Sequence, residues 1–365
     1  MTTTGVAQIS ESHRTRLLLP PTGRVRVVID TDAANEIDDQ FALTWALQSP
    51  DRLDIEAVLA APYSFEHLRA GLLEAAEQLE KHDNPSIDSG LVDRFSSWAI
   101  RLRDAGVAAD EIEFVGPAEG MERSFQEIVR IFDLVGVESD GRVFQGSPGY
   151  LPGPNRPVDS AAARRLIELA MAGSDDPLYV VAIGCVTNVA SAIMLEPAIL
   201  DRIVVLWTAG YPTFSSRSNG DSLNLVQDVA AARYLFECGV PLVYLPGYYV
   251  GAQLRVSLPE IERWVRGRGR SGDYLHHLYT NNPLHAQRAI PDHFGRSWVM
   301  WDMINIAWLI EPSWVPTDLV PTPTLDGELH WTPQTGEPHH MREAHDVDRD
   351  AIFRDFFEKL DKAAK

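Results

Sequence analysis

Short runs of β-branched and apolar residues alternate along the chain with longer stretches in which apolar positions recur at helical spacing. Strand-like runs lie at Arg24–Asp30, Asp54–Ala60, Tyr179–Ile183, Ile203–Trp207 and Leu242–Leu245. Helical patterns lie at Asp38–Gln48, His67–Lys81, Ala161–Ala172, Asn188–Leu195 and Val229–Cys238. Strands that are apolar at nearly every position are those buried on both faces, and intervening helices supply the covering layers. The pattern predicts an α/β fold with a mostly parallel central β-sheet flanked by helices. Ligands of such sheets gather at the carboxyl ends of the strands.

Two breaks interrupt the rhythm. Residues from about 84 to 120 are rich in charge, Gly and Pro; they read as an insertion with some helix, followed by a helix at Met121–Leu134. The run "GSPGYLPGPNRP" is too dense in Gly and Pro to be anything but a loop. After a helix around Trp301–Ile310, a Pro-rich passage leads into an expected hairpin and a helix at Arg349–Lys362, an extension over about 313–365. With no internal repeat, the expectation is one catalytic domain over 1–365.

Composition narrows the classes of partner. With 365 residues, 45% of them apolar, the chain is ample for a large core. Its formal charge of −20 opposes binding to a nucleic-acid polymer or an anionic membrane surface. Cys185 and Cys238 sit in apolar contexts and form neither a disulfide framework nor a thiolate metal cluster. The first residues lack the pattern of a secretory leader, and no apolar run approaches the roughly 20 residues of a membrane helix, so a cytoplasmic location is expected.

The chemistry concentrates in "DTDAANEIDDQ" (Asp30–Gln40), with four aspartates and a glutamate straight after an apolar strand. Carboxylates at that density repel one another unless a counter-charge joins them. Asp32 at the strand end and Asp39 at the following helix start can face one centre. Asp38 and Asp39, adjacent on that helix, diverge by roughly 100°, so one can bind a cation while the other reaches a ligand. Oxygen ligands suit a hard divalent ion, and Ca²⁺ tolerates irregular geometry better than Mg²⁺. The spacing is not that of the twelve-residue helix–loop–helix calcium loop. Helix capping is the competing account of Asp38 and Asp39, but it leaves Asp30 and Asp32 unexplained.

These residues resemble the N-terminal signature of the calcium-dependent nucleoside hydrolases, D-x-D-P-G-x-D-D, with "AANEI" lengthening the loop by two residues. Four further stretches are similar to family segments in the family's order: "VAIGCVTNVA" (Val181–Ala190), "DRIVVLWTAGY" (Asp201–Tyr211), "LNLVQDVAAARYLF" (Leu223–Phe236) and "WDMINIAWLI" (Trp301–Ile310). The resemblance implies hydrolysis of the N-glycosidic bond of a ribonucleoside, in a chain that forms a homodimer or homotetramer. It implies that Asp32, Asp39, the Ile183 carbonyl and Asp302 hold Ca²⁺, and that Asp32 takes the proton of the water that the ion orients. Asp38, Asn224 and Asp302 would bind the ribose hydroxyls, with Asn219 and Trp207 as further candidates at the substrate. Each of the later residues has a plainer account as well. Asn224 and Asp302 can cap helices, and Trp207 at a strand end can be core.

The chain also departs from that family. Trp301 stands where pyrimidine-accepting members carry His, which resembles the purine-preferring branch, where an aromatic ring stacks on the base. The competing account is that Trp301 merely fills the gap. His276, His277, His285 and His293 are expected to be solvated or packed. Pro62 replaces a backbone amide donor, Ser222 replaces the acidic residue two before Asn224, and the insertion between about Ser64 and Gly120 can reshape the pocket mouth. Two other functions compete. A Mg²⁺ phosphatase of the haloacid dehalogenase type also begins strand–D-x-D, but Ala34 stands where it needs Thr or Val. A non-catalytic nucleoside or sugar binder would have no need of a base such as Asp32.

Overall fold

The computed structural model describes residues 9–81, 94–173, 176–290 and 297–365; residues 84–93 of the expected insertion, and His293, lie outside them. Six parallel strands form the body of an eight-stranded sheet: β1 (Val25–Thr31), β2 (Leu53–Ala60), β3 (Val143–Gln145), β4 (Leu178–Ala182), β5 (Ile203–Ala209) and β6 (Leu242–Pro246). Their order is β3-β2-β1-β4-β5-β6, continued by His340–Ala344, parallel to β6, and by the antiparallel edge strand Thr317–Pro321. The mostly parallel sheet flanked by helices is thus observed, although the short strand β3 has no apolar run to announce it.

Alternation of side chains divides the buried strands between two cores. Val27, Ile29, Val204, Leu206, Val243 and Leu245 face helices Asp38–Leu47, Pro117–Val135, Met303–Ile310 and Arg349–Ala363. Val28, Val180, Val205, Trp207 and Tyr244 face helices Ala161–Met171, Thr187–Leu195 and Val229–Glu237. The helix Asp38–Leu47 is buried at every position, so no polar face anchors it to solvent.

The insertion has its own core. Tyr63, Phe65, Leu68, Leu72, Trp98, Leu102, Ile112 and Val115 pack together in a third cluster. They come from the loop after β2, the helices Arg69–Lys81 and Arg94–Asp104, and the turn before Pro117. Among the described residues no helix is long and apolar enough to cross a membrane.

The strand order reverses at β1, whose neighbours are β2 and β4, and that reversal opens a crevice at the carboxyl ends. Two buried asparagines tie the strand ends there. Asn188 Nδ2 donates to Asp30 Oδ1 (2.8 Å) and to the Ala60 carbonyl (3.2 Å), while its Oδ1 accepts from Ser147 N (2.8 Å). Asn305 Nδ2 donates to the carbonyls of Ala182 (3.3 Å) and Leu206 (3.2 Å), and its Oδ1 accepts from the Thr208 hydroxyl. Removing the Asn188 amide strands three buried groups. Asn188→Ala is therefore expected to cost about 2–3 kcal/mol of unfolding free energy in urea titration; a loss under about 0.5 kcal/mol would show that the clamp contributes little.

Candidate active site

Each acidic residue of the site is placed by a strand or helix end. Asp32 follows the last residue of β1 and is 1% exposed. Its Oδ2 accepts from Asn35 Nδ2 at 2.8 Å, whereas Oδ1 is buried with no hydrogen-bond partner among the described residues. Gly184, just past β4, is what allows this approach: a Cβ there would lie 2.9 Å from Asp32 Cγ.

Asp38 and Asp39 open the helix Asp38–Leu47, whose preceding residue, Ile37, makes no side-chain cap. Both carboxylates thus sit at the positive end of a helix without being spent on capping it. Asp39 accepts a hydrogen bond from the Thr31 hydroxyl, which fixes it against β1. Asp302 stands before the helix Met303–Ile310 and likewise makes no capping bond. Asp38, Asp39 and Asp302 each offer an oxygen, and these three atoms lie within 4.8 Å of one another.

Electrostatics show the strain in this arrangement. Burial, with the Glu36 charge adding to it, pushes Asp32 up to about 7. Burial pushes Asp30 up to about 7 as well, with Asp32 adding to it. Asp38, Asp39 and Asp302 are held well above the usual carboxylate range, first by burial and then by neighbouring carboxylates: Glu36 and Asp32 at Asp38, Asp32 and Asp38 at Asp39, and Asp38 and Asp39 at Asp302. Buried carboxylates so close together cannot all ionise unless positive charge joins them. The donor set is all oxygen, with an unpartnered Asp32 Oδ1 beside it, and it fits a hard divalent cation.

The acids form the floor of a cavity of about 630 Å³. Ile183, Asn224, Trp301 and Tyr248 also line it. Asn224 caps no helix; its Nδ2 bridges the carbonyls of Ile183 (3.3 Å) and Thr208 (3.0 Å), tying the ends of β4 and β5. That bond leaves the second lone pair of the Ile183 oxygen available. Trp301, next to Asp302, is partly exposed to the cavity, with its ring edge-on to Tyr248 at 5.7 Å.

Two expected substrate contacts are corrected. Trp207 is fully buried, packs on Phe236 and donates Nε1 to the Gly184 carbonyl at 3.0 Å, because its position on β5 faces the helix layer with Val205. Asn219 is fully buried too: its Oδ1 accepts from Tyr211 N (2.7 Å) and its Nδ2 donates to the Leu329 carbonyl (2.8 Å). Gly210, at φ +52°, makes room for it, since a Cβ there would meet Asn219 Oδ1 at 2.3 Å. Ser222 Oγ is similarly taken by the Gly210 amide at 2.8 Å. Trp207 and Asn219 thus stand behind the wall, whereas Ser222 lines it.

Other cavity residues escaped the sequence reading. Glu36 lines the cavity from inside the lengthened loop, and that added length was the available signal. Burial raises its carboxyl, against the pull of Arg288. His67, Arg94, Trp98 and Arg101 reach the cavity from the insertion, and Arg255, Arg288 and Trp298 from later segments, of which those holding Arg288 and Trp298 pack against the insertion. An insertion rich in Arg and aromatic residues, "RFSSWAIRLRD", hinted at a wall; nothing local marked Arg255 or Arg288.

Comparison with known proteins agrees with this geometry. The profile of the family described as "Inosine-uridine preferring nucleoside hydrolase" matches residues 27–354. The chain is 23% identical over 258 residues to "Probable uridine nucleosidase 2" of Arabidopsis thaliana, spanning 69% of this chain and 68% of that protein. It is 32% identical over 136 residues to the pyrimidine-specific ribonucleoside hydrolase RihB of Escherichia coli O1:K1, spanning 37% of this chain and 41% of that protein. Among solved structures, a purine-preferring ribonucleoside hydrolase from Gardnerella vaginalis superposes with a TM-score of 0.62 at 18% identity, covering 93% of this chain and 99% of that one. The plant nucleoside hydrolase PpNRh1 superposes with a TM-score of 0.62 at 16% identity, covering 92% of this chain and 98% of that one.

The raised carboxyls give a signed expectation for the metal-free protein. The folded cluster keeps protons that the unfolded chain releases near 3.8, the ordinary aspartate value, so stability should fall as pH rises from about 4 through about 7. A cation replaces those protons. Millimolar Ca²⁺ should thus raise the melting temperature by roughly 5 °C at pH 8 and by much less at pH 5. Equal increments at both pH values in differential scanning fluorimetry would separate the cluster from cation binding.

Proposed function

The chain belongs to the inosine-uridine preferring nucleoside hydrolase family, and from that premise we propose that it hydrolyses ribonucleosides with a flat aromatic base, purines preferred, using Ca²⁺ as its ion. The observation that carries this reading is the convergence of Asp38, Asp39 and Asp302 beside Asp32, whose Oδ1 is buried and unsatisfied, at the floor of the cavity.

Asp32, Asp39, Asp302 and the Ile183 carbonyl would hold the ion, which, when bound, supplies the positive charge that acidifies a water and receives ribose hydroxyls. Asp32 Oδ1 takes the proton of the attacking water while Asn35 holds Oδ2 in place. The carbon–nitrogen bond breaks with its electron pair passing to the base, which takes up a proton from solvent, while the water oxygen bonds to the oxocarbenium-like anomeric carbon. Asp38 and the carbonyl end of the Asn224 amide, which both line the cavity, would take ribose hydroxyls and fix the reacting carbon over Asp32. The carboxylates around the sugar favour its developing positive charge.

At the base end, Trp301 offers a ring for stacking, kept in orientation by Tyr248. His67 is the one histidine lining the cavity among the described residues. Burial and the Arg94 charge hold it below the usual imidazole range, so it is a poor reservoir of protons at neutral pH. The pyrimidine names of the sequence relatives and the purine name of the Gardnerella structure leave the base to this local chemistry, and the indole favours the larger ring system.

Sugar release from a panel of ribonucleosides, with Ca²⁺ and with EDTA, is the direct assay. Asp32→Asn should lower kcat at least about 100-fold with an unchanged circular dichroism spectrum. Trp301→Ala should lower kcat on inosine about tenfold with a smaller change on uridine. Near-normal turnover by Asp32→Asn would remove Asp32 as the base, and equal losses on both substrates would remove purine stacking.

A further inference from the structure

The cavity is electrically divided. Its floor is carboxylate, in a chain of net charge −20, yet its outer wall carries the guanidinium groups of Arg94, Arg101, Arg255 and Arg288. Arg94 is neutralised by Asp221 at 2.6 Å. Arg255 and Arg288 have no ion-pair partner within 4.0 Å among the described residues. Glu36 lies in the field of Arg288, although burial raises its own carboxyl.

Both groups stand at the base end. Arg255 pairs with Val299 in the small antiparallel ladder Arg255–Ser257/Ser297–Val299, two residues before Trp301. Arg288 follows the short helix Pro283–Gln287, where the His285 ring packs on Trp298 at 4.8 Å. The Arg288 carbonyl accepts from Arg101 Nε (2.9 Å) and that of Gln287 from Trp98 Nε1 (3.1 Å), so the insertion braces this wall. Trp98, Trp298 and Trp301 line the cavity together with these guanidinium groups, so it offers both aromatic surface and positive charge, the two features that an aromatic carboxylate needs.

Resting on the hydrolase reading above, we infer that the base end of this cavity selects ribonucleosides whose aromatic base bears a carboxylate, with Arg255 and Arg288 as the residues that read its charge. The acidic floor enforces the polarity: a negative group on the base is repelled from the sugar end and attracted to the wall, which also fixes the direction in which the substrate enters. Because both arginines are partly or largely exposed, their contribution is screened by salt.

The test uses the ribosides of pyridine-3-carboxylate and pyridine-3-carboxamide, which differ by one negative charge. The native protein should favour the carboxylate about tenfold or more in kcat/KM at low ionic strength. That ratio should fall towards one in Arg255→Gln/Arg288→Gln and in 0.5 M salt. A ratio near one in the native protein, or one that the double substitution leaves in place, overturns the inference. Tryptophan-fluorescence titration with the free acid and the free amide reads the same preference without turnover. Tighter binding of the acid by about tenfold, lost in the double variant, supports the inference, and equal or absent quenching overturns it. Failure of every ribonucleoside to release sugar with Ca²⁺ overturns the hydrolase reading instead, independently of that titration.

Discussion

The constraint on which the site depends is the burial of several carboxylates around one point without a fixed basic partner. Asp32, Asp38, Asp39 and Asp302 are each at most 3% exposed. Each charge raises the cost of the next, and the rest of the structure is built to hold them in spite of that cost. The helix Asp38–Leu47 presents its positive end to two of them. Thr31 and Asn35 donate to Asp39 and Asp32. No arginine or lysine approaches within ion-pair distance of the four among the described residues, so these residues by themselves do not neutralise the four charges. An arrangement that resists its own assembly is poor structure and good ligand binding.

The sheet is what makes that arrangement rigid. Asp32 and Ile183 sit at the ends of neighbouring parallel strands, and Asn188 and Asn305 tie those ends to the helices behind. Trp207 and Gly184 act together beneath the floor: the indole donates to the glycine carbonyl, and the missing Cβ lets Asp32 close over it. Strand ends alone would leave the carboxylates on loops. Here each is fastened within one or two residues to an element with a buried core.

Much of this was legible in the sequence. Fully buried strands announce themselves as continuous apolar runs, so β1, β2, β4, β5 and β6 fell within a residue or two of their observed limits at most ends, whereas β3, three partly exposed residues, had no pattern to read. The acid cluster stood out because carboxylates do not gather in that density without cause. Trp207 misled because its place at a strand end was read without its parity: with Ile203 and Val205 it faces the helix layer, while Leu206 faces the other core. Asn219 misled because only tertiary contact, with Tyr211 and Leu329, shows that both ends of its amide are already bonded. Arg255 and Arg288 meet at the cavity from two unrelated segments, and no local spacing encodes that meeting.

The wall and the floor differ in how freely they can vary. The floor is fixed by the sheet, by two helix starts and by the mutual repulsion of its acids, so a change at one carboxylate is felt by all the others. The wall is built on the separate core of the insertion, where Trp98 and Leu102 cluster with Leu72 and Ile112, and it is bonded to Gln287 and Arg288 of the neighbouring segment. Substitutions there change what faces the base without moving the carboxylates. On the proposed reading, bond cleavage belongs to the floor and choice of base to the wall, and Trp301, next to Asp302, lies where the two meet.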